Sequence, residues 1–290
     1  MRPVTGVKTL PPPEPGFIGE GHTAVEVVTS DDLAASDPFV LLMDDRLDIA
    51  KRRQIGGPHP HAGLETVTFL IEGSVYDRDE GELRAGDVLW MTAGRGIVHN
   101  EAVEAEGRSR VLQLWIGLPE RDRDLAPRFE LVRGSEAPLI RAPGVEARLY
   151  SGAANGARAA TTNRVPTTMM DIHLGSGAVF RPELPATYNG FVYVLDGDLR
   201  ASEAQIARGQ IGWLHPASAA DGELELVGGA GGARVVLYAG EPLREPLVQR
   251  RPFVAGSMAE IAGYHQSYQA RRFTSMSAVA RAQRAESKAV

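Results

Sequence analysis

The sequence predicts an all-β fold in which two β-barrels follow one another along the chain. Its 290 residues include 32 glycines and 19 prolines, which separate short apolar runs such as "FVLLM" from residue 39 and "RVLQLWIGL" from residue 110. Short strands rich in Val, Leu, Phe and Trp between turn residues are typical of antiparallel sandwiches and barrels. Long helical periodicity is missing between residues 20 and 250, and a chain of this length suits one large or two medium domains.

An internal repeat indicates that the barrel occurs twice. The run "ETVTFLIEGSV" followed by "GELRAGDVLWM" resembles "GFVYVLDGDL" followed by "AQIARGQIGWL". The two turn glycines are 13 residues apart in the first copy, Gly73 to Gly86, and 12 apart in the second, Gly197 to Gly209. Each copy therefore predicts a strand, a glycine turn, a strand, a second turn and a strand.

The division between the barrels is predicted near residue 140, because the preceding stretch is charged and contains proline, as domain linkers commonly do. The predicted parts are a first domain of residues 1–140, a second of residues 141–250, and a C-terminal helix with a basic tail, residues 251–290. In the last part, Ser257 and Glu260 form a capping box that predicts the start of a helix. After Phe273 we expect a loose tail or a marginal second helix.

Composition narrows the possible chemistry. The chain has no cysteine, so a metal site would have to use His and carboxylate ligands. Its net charge of −6 argues against a nucleic-acid binder. The first residues lack the apolar core of a signal peptide, and no apolar run approaches the ~18 residues that a membrane helix needs. We therefore expect a cytoplasmic protein that binds neither nucleic acid nor membranes, and we expect a monomer.

Two short motifs carry most of the chain's candidate metal ligands. His59 and His61 are one residue apart in "PHPH", and His99 and Glu101 repeat that spacing in "VHNE". On an extended segment, residues i and i+2 leave the same face, so each pair converges. Taken singly, the first pair could be an exposed turn and His99 a hydrogen-bonded core residue. Together they predict three imidazole nitrogens and one carboxylate oxygen around a divalent first-row metal.

The residues around these motifs resemble those of a known family. The two histidines, Glu65, Gly73 and "GDVLWMTAGRGIVH" are similar to the two signature segments of the cupin superfamily. The resemblance is closer still to the pirins, over about residues 36 to 273, and rests on "PHPHAGLETVTFLIEG", "GDVLWMTAGRGIVHNE", "LQLWIGLP", "YNGFVYVLDG" and "PFV" in that order. It implies two tandem cupin barrels, of the double-stranded β-helix or jelly-roll type, with a short C-terminal helix.

The resemblance also implies the ligand set. In cupins generally the carboxylate ligand would be Glu65, whereas in pirins it would be Glu101, and spacing alone does not choose between them. The pirin pattern implies that His59, His61, His99 and Glu101 hold Fe(II), with Mn, Ni, Co, Zn or Cu as alternative ions. Glu65 would then accept a hydrogen bond from a ligand imidazole, or be an ordinary strand carboxylate.

Three segments depart from the pirin pattern. The stretch "LLMDDRLDIAKRRQIGG" lacks the aromatic residue that pirins usually have there, the loop after Gly73 is short, and "RRPFV" replaces a glycine before "PFV". We expect these segments to line the pocket entrance, so the resemblance by itself does not specify the substrate of this chain.

Three functions are open at this point. The resemblance implies a dioxygenase of the quercetin 2,3-dioxygenase type, with Glu101 as the catalytic acceptor of a hydroxyl proton from a flavonol or other chelating substrate. The alternative that it implies is a regulator whose binding to another protein changes with the oxidation state of its iron. A cupin isomerase or decarboxylase that uses another metal is the third. An open apolar cavity lined by residues such as Phe69, Trp90 or Met91 would favour an enzyme.

The second copy of the repeat lacks the ligands of the first. A shift of 124 residues places Glu183 and Pro185 against His59 and His61, and a shift of 123 places Gly222 against His99. The histidines of that half, His173 and His215, lie at other positions and are predicted to be core or turn residues. We expect the second barrel to be a structural or partner-facing module.

Overall fold

The computed structural model describes residues 1–77, 79, 81–100, 103–216 and 223–286. The chain forms two compact units. The first unit contains residues 12–135 and 243–290, and the second contains residues 1–11 and 136–242. The chain passes from the first unit to the second between residues 135 and 136 and returns to the first at residue 243.

The first half of the chain is built almost entirely of strands. In chain order they are β1 (Val4–Thr9), β2 (Glu14–Pro15), β3 (His22–Val28), β4 (Phe39–Ile55), β5 (Pro58–His61), β6 (Leu64–Glu72), β7 (Ser74–Asp77), β8 (Gly81–Arg84), β9 (Val88–Thr92), β10 (Ile97–Asn100), β11 (Val103–Gly117) and β12 (Arg128–Val132).

The second half continues the pattern and adds helices near the end. Its strands are β13 (Leu139–Ala142), β14 (Val145–Ser151), β15 (Ala153–Ala154), β16 (Ala157–Arg158), β17 (Thr167–Leu174), β18 (Val179–Phe180), β19 (Asn189–Ala201), β20 (Ala204–Ala207), β21 (Gln210–Leu214), β22 (Leu226–Gly240), β23 (Val248–Arg250), β24 (Phe253–Ala255) and β25 (Thr274–Ser275). The α-helices are α1 (Leu33–Ser36), α2 (Met258–Gln269) and α3 (Met276–Glu286), and 3-10 turns cover Ser30–Asp32 and Glu120–Asp122.

The first unit has a large antiparallel sheet and a small one. The large sheet has the order β12-β9-β6-β11-β4-β3-β2, with the β7-β8 hairpin beside it, and the small sheet has the order β25-β10-β5. The turn from β6 to β7 needs glycine, because Gly73 has a φ of +83° and a Cβ there would lie 2.3 Å from the carbonyl oxygen of Arg108. This turn places β7 beside β11, and β8 pairs with β7.

The second unit repeats the arrangement with a filled interior. Its main sheet has the order β1-β21-β19-β22-β17-β14-β13. The side chains inside it form one apolar cluster, with Leu149, Met170, Val192, Leu226 and Leu237 fully buried. The sequence prediction of two tandem all-β barrels is confirmed by this architecture.

The C-terminal residues of the first unit are helical and packed. Helix α2 begins after Ser257, whose hydroxyl accepts a hydrogen bond from the Glu260 amide at 3.3 Å, as the capping box predicts. Beyond Phe273 the chain forms α3, and its Met276 and Val279 pack in one cluster with Ile97 of β10. Up to residue 286, no loose tail is present. None of the helices in the described residues has the length and apolar character that crossing a membrane requires.

Candidate metal centre

Two neighbouring strands bring three histidines together. Strands β5 and β10 are antiparallel, and His59 lies directly opposite His99 in their register. His61 lies two residues from His59 on the same face of β5, opposite Ile97. The possible ligand nitrogens of the three rings all lie within 4.8 Å of one another. The convergence expected from the spacing of the two pairs is present for all three histidines.

The distances suit a metal ion. Nε2 of His59 and Nε2 of His99 are 2.9 Å apart. Two nitrogens each about 2.1 Å from an ion, at a right angle to one another, would be separated by about 3 Å. Imidazole nitrogens are ligands for the first-row divalent metals. The donor set and this distance therefore fit a first-row metal with right angles between its ligands, such as iron or nickel.

Burial keeps His61 in the form that binds metal. His61 and His99 are buried, with 3% and 4% of their surfaces exposed, and His59 is half-buried. Burial of the ring, together with the neighbouring His99 and His59, holds the pKa of His61 well below its usual range. His61 is therefore neutral near pH 7, and a neutral imidazole has the lone pair that a metal needs.

Backbone carbonyl groups orient two of the rings. His59 Nδ1 lies 2.9 Å from the carbonyl oxygen of Gly57, and His61 Nδ1 lies 3.4 Å from that of Pro252. A ring that donates its Nδ1 proton to a carbonyl group keeps Nε2 as the lone-pair nitrogen. These contacts select the same tautomer in both rings and present Nε2 to the metal.

Of the two candidate carboxylate ligands, Glu65 and Glu101, only Glu65 lies in the described part of the chain. Glu101 lies outside the described residues, so its role as a ligand stays a prediction. Glu65 is fully buried on β6 and accepts a hydrogen bond from the Thr92 hydroxyl at 2.7 Å. It is not a member of the three-histidine group found among the described residues. Its expected role as an acceptor for a ligand imidazole stays a prediction.

A cavity of about 760 Å³ adjoins the histidines. His59 and His61 line it, and most of the remaining wall is apolar, with side chains from Leu41, Met43, Leu47, Ile55, Val75, Leu83, Val111 and Trp115. The ring of Trp115 meets that of His61 edge to face at 5.1 Å between centroids. Thr68 and Gln113 add polar groups, and the Thr68 hydroxyl donates to the Gln113 amide oxygen at 2.8 Å.

The expectation that Phe69, Trp90 or Met91 would line this cavity is wrong. All three are buried, with at most 2% of their surfaces exposed, and none belongs to the cavity wall. Side chains alternate between faces along a strand, and on β6 it is Thr68 that faces the cavity, so Phe69 faces the other way. Both faces of β6 are buried, so the sequence pattern could not tell them apart.

The three segments that depart from the pirin pattern do line this cavity. Ile55, Gly56 and Gly57 come from the first segment, and Val75, Asp77 and Leu83 follow the short turn at Gly73. Arg251 and Pro252 come from "RRPFV". The expectation that these segments lie at the cavity is therefore met.

The C-terminal segment packs against the strands that carry the histidines. The sequence analysis did not predict this contact. The Val254 amide donates to the carbonyl oxygen of Ala62 at 3.1 Å, and β25 pairs in parallel with β10. Gly96, just before β10, lies against the ring of Phe273, which a Cβ would approach to 2.3 Å. The only sign of this segment in the sequence analysis was the match at "PFV". That match does not indicate which residues the segment contacts.

The second unit contains no matching histidine group among its described residues. Glu183 accepts a hydrogen bond from the Asn155 amide at 2.9 Å, and Gly222 lies outside the described residues. His173 is an exposed strand residue on β17, neither core nor turn, with Nε2 3.4 Å from Asp171. His215 is exposed just after β21 and lies in neither the core nor an assigned turn.

Comparisons with known proteins agree with the two-barrel fold. The pirin family model matches residues 21–116, and the model of the pirin C-terminal cupin domain matches residues 169–274. Pirin-1 of Arabidopsis thaliana is 34% identical over 259 residues, covering 87% of this chain and 88% of that protein. Among solved structures, quercetin 2,3-dioxygenase from Acinetobacter baumannii is 26% identical with a TM-score of 0.82, covering 95% of this chain and 99% of that one.

A second structural relative shares the fold at lower identity. The bacterial pirin YhhW from Escherichia coli, solved in complex with nickel(II), is 16% identical with a TM-score of 0.60. It covers 77% of this chain and 93% of its own. With both family models in their expected places and a curated pirin matching most of its length, this chain belongs to the pirin family of two-barrel cupin proteins.

Proposed function

We propose that this chain is a metal-dependent dioxygenase of the quercetin 2,3-dioxygenase type, acting on a flavonol or another chelating aromatic substrate. The observation that carries the proposal is the largely apolar cavity of about 760 Å³ whose wall includes His59 and His61. Small-molecule sites are concave, mostly apolar and in this range of volume. The similarity to the quercetin 2,3-dioxygenase structure from Acinetobacter baumannii supports the choice of reaction.

The protein's own residues would bind and orient the substrate. His59, His61, His99 and, as predicted from the family pattern, Glu101 would hold the ion. When bound, Fe(II) supplies a redox centre with positions open to a chelating ligand. The apolar wall would exclude water from the reacting rings.

Two further groups have a defined part in this proposal. The Gln113 amide oxygen accepts from Thr68, so its N–H group is the donor offered to an oxygen of the substrate. Glu101 would accept the hydroxyl proton of the substrate. Fe(II) is the ion we propose, and Mn, Ni, Co, Zn and Cu forms are the comparison set, because several of these ions bind mixed nitrogen and oxygen sites more tightly than Fe(II) does.

The test is a single-turnover measurement. Protein stripped of metal, loaded anaerobically with Fe(II) and mixed with quercetin and oxygen should remove the flavonol absorbance. The double variant His59→Ala, His61→Ala should lose this activity, whereas His173→Ala, which removes an exposed histidine of the second unit, should keep it. Absence of turnover in protein that binds iron tightly would contradict the enzymatic proposal. That result would favour a regulator, to be examined by capturing partners with the iron in each oxidation state.

A further inference from the structure

The rim of the cavity carries an aromatic side chain that packing does not explain. Phe17 lines the cavity, yet 83% of its surface is exposed, the largest fraction among the large apolar side chains of the described residues. It lies in the turn between β2 and β3. Its neighbour Ile18 faces inward and packs with Leu47, Ile49 and Ile55. The turn therefore places Ile18 in the cavity wall and Phe17 at the mouth of the cavity.

The turn is held in place by one buried histidine. His22 has no exposed side-chain surface. Its Nδ1 accepts the Ile18 amide proton at 3.2 Å, so its proton is on Nε2, which donates to Asp45 of the cavity wall at 2.7 Å. The ring of Phe17 meets that of His22 edge to face, with 5.5 Å between centroids. Phe17 is thus held at the rim through a connected set of contacts.

Close packing beneath the turn adds to this support. The Gly16 amide donates to the His22 carbonyl oxygen at 2.9 Å, and the His22 amide donates to that of Gly19 at 3.0 Å. A Cβ at Gly16 would lie 2.1 Å from the His22 ring. Any larger residue at position 16 would therefore displace the turn from the histidine that supports it.

We propose that Phe17 is a substrate-recognition residue, the outer aromatic contact for a planar ligand that binds the metal with one end. This inference rests on the proposed function and specifies the ligand class: a compound with a chelating group and a second aromatic ring long enough to reach the rim. The exposed face of Phe17 is available for stacking or edge-to-face contact with that ring. Burial of this face by the ligand accounts for an exposed Phe beside a deep apolar cavity.

The test compares a long aromatic chelator with a short one. The Ni(II)-loaded protein is titrated anaerobically with quercetin, followed by its absorbance, and separately with oxalate, which chelates metal but has no ring. Phe17→Ala should raise the Kd for quercetin roughly tenfold and leave that for oxalate unchanged. Gly16→Ala, which keeps Phe17 but displaces its turn, should act in the same direction. Tyr76→Ala removes an exposed aromatic side chain that is not part of the cavity wall, and should leave both values unchanged.

The outcomes separate this inference from the proposal on which it rests. If the wild-type protein binds quercetin and Phe17→Ala binds it equally well, Phe17 is not a recognition residue, and the proposed function stands. If the wild-type protein binds oxalate but no flavonol, both are overturned. If Phe17→Ala weakens oxalate as much as quercetin, the substitution acts on the metal site, and the rim assignment is wrong.

Discussion

The two units of this protein share an architecture but differ in what their interiors contain. The first has a cavity of about 760 Å³ next to three converging histidines. The interior of the second is filled by apolar side chains, and its pocket of about 310 Å³ is lined by glycines and charged residues such as Glu146 and Arg234. The comparison teaches that the shared barrel fold does not by itself specify a function. Function depends on which inward positions are polar and whether the space around them is left open.

The largest expected difference between the units concerns metal binding. The double variant His59→Ala, His61→Ala removes two of three clustered imidazoles, so its affinity for Ni(II) should fall by more than about 100-fold, since loss of supporting contacts alone costs 10- to 100-fold. Metal content after dialysis measures this, and His173→Ala is the matched control. Equal metal retention by the double variant would show that the histidine cluster is not the binding site.

A core substitution tests the contrast between the filled interior of the second unit and the open cavity of the first. Leu237 is fully buried in the filled interior of the second unit, so Leu237→Ala should lower the free energy of unfolding by about 2–5 kcal/mol. Met43 lines the open cavity of the first unit, and Met43→Ala should cost less because that side chain already faces space. Urea unfolding measures both. A larger loss for Met43→Ala would contradict the distinction between filled and open interiors.

The packing of the C-terminal segment against β10 predicts an effect of intermediate size on the affinity for metal. Gly96→Ala introduces a Cβ 2.3 Å from the ring of Phe273 at a φ of +135°, so β10 should shift and carry His99 with it. The affinity for Ni(II) should fall about tenfold, the lower end of what outer contacts contribute. Gly263→Ala in α2, where a Cβ meets no atom within 4 Å, is the control. Unchanged affinity in Gly96→Ala would mean that β25 and Phe273 do not position the site.

The smallest expected effect is a pH dependence confined to the second unit. Burial alone would raise the pKa of Asp171, but hydrogen bonds from His173 and Arg234 outweigh it and hold that pKa below its ordinary value. Because the folded pKa lies below the unfolded value of about 3.9, the stabilisation is present above about pH 4 and is lost as the pH falls through the folded pKa.

The corresponding variant is Asp171→Asn. We expect it to lower the free energy of unfolding by about 1.5 kcal/mol at pH 7, where a charged hydrogen-bonded group is replaced by a neutral one. The difference from the wild-type protein should shrink toward pH 3 in urea titrations. A difference that stays constant with pH would exclude the charge of Asp171 as its source.

Local patterns in the sequence were sufficient for several features of the site. Residues two apart on a strand share a face, so the spacing of His59 and His61 predicted their convergence, and the pairing of β5 with β10 placed His99 beside them. The cap at Ser257 predicted the start of α2 because it depends on contacts within one turn. The role of Glu101 is untested, because it lies outside the described residues.

Features that depend on distant contacts could not be predicted in this way. Both faces of the strand around Phe69 are buried, so burial of its apolar residues does not indicate which face meets the cavity. The Pro252 carbonyl group that orients His61 is 191 residues away in the chain. No local pattern indicates such a neighbour. The same holds for the packing of Phe273 against Gly96 and for the support of Phe17 by His22.

The sequence by itself determined the two-barrel all-β architecture, the identity of the clustered histidines and the absence of matching ligands at the aligned positions of the second barrel, because strand periodicity and residue chemistry are local properties. The tertiary structure decided which side chains form the cavity wall, how the C-terminal segment holds the histidine strands, and where Phe17 lies. These depend on which distant strands pack together, and that choice is made by burial of the whole chain rather than by any one segment.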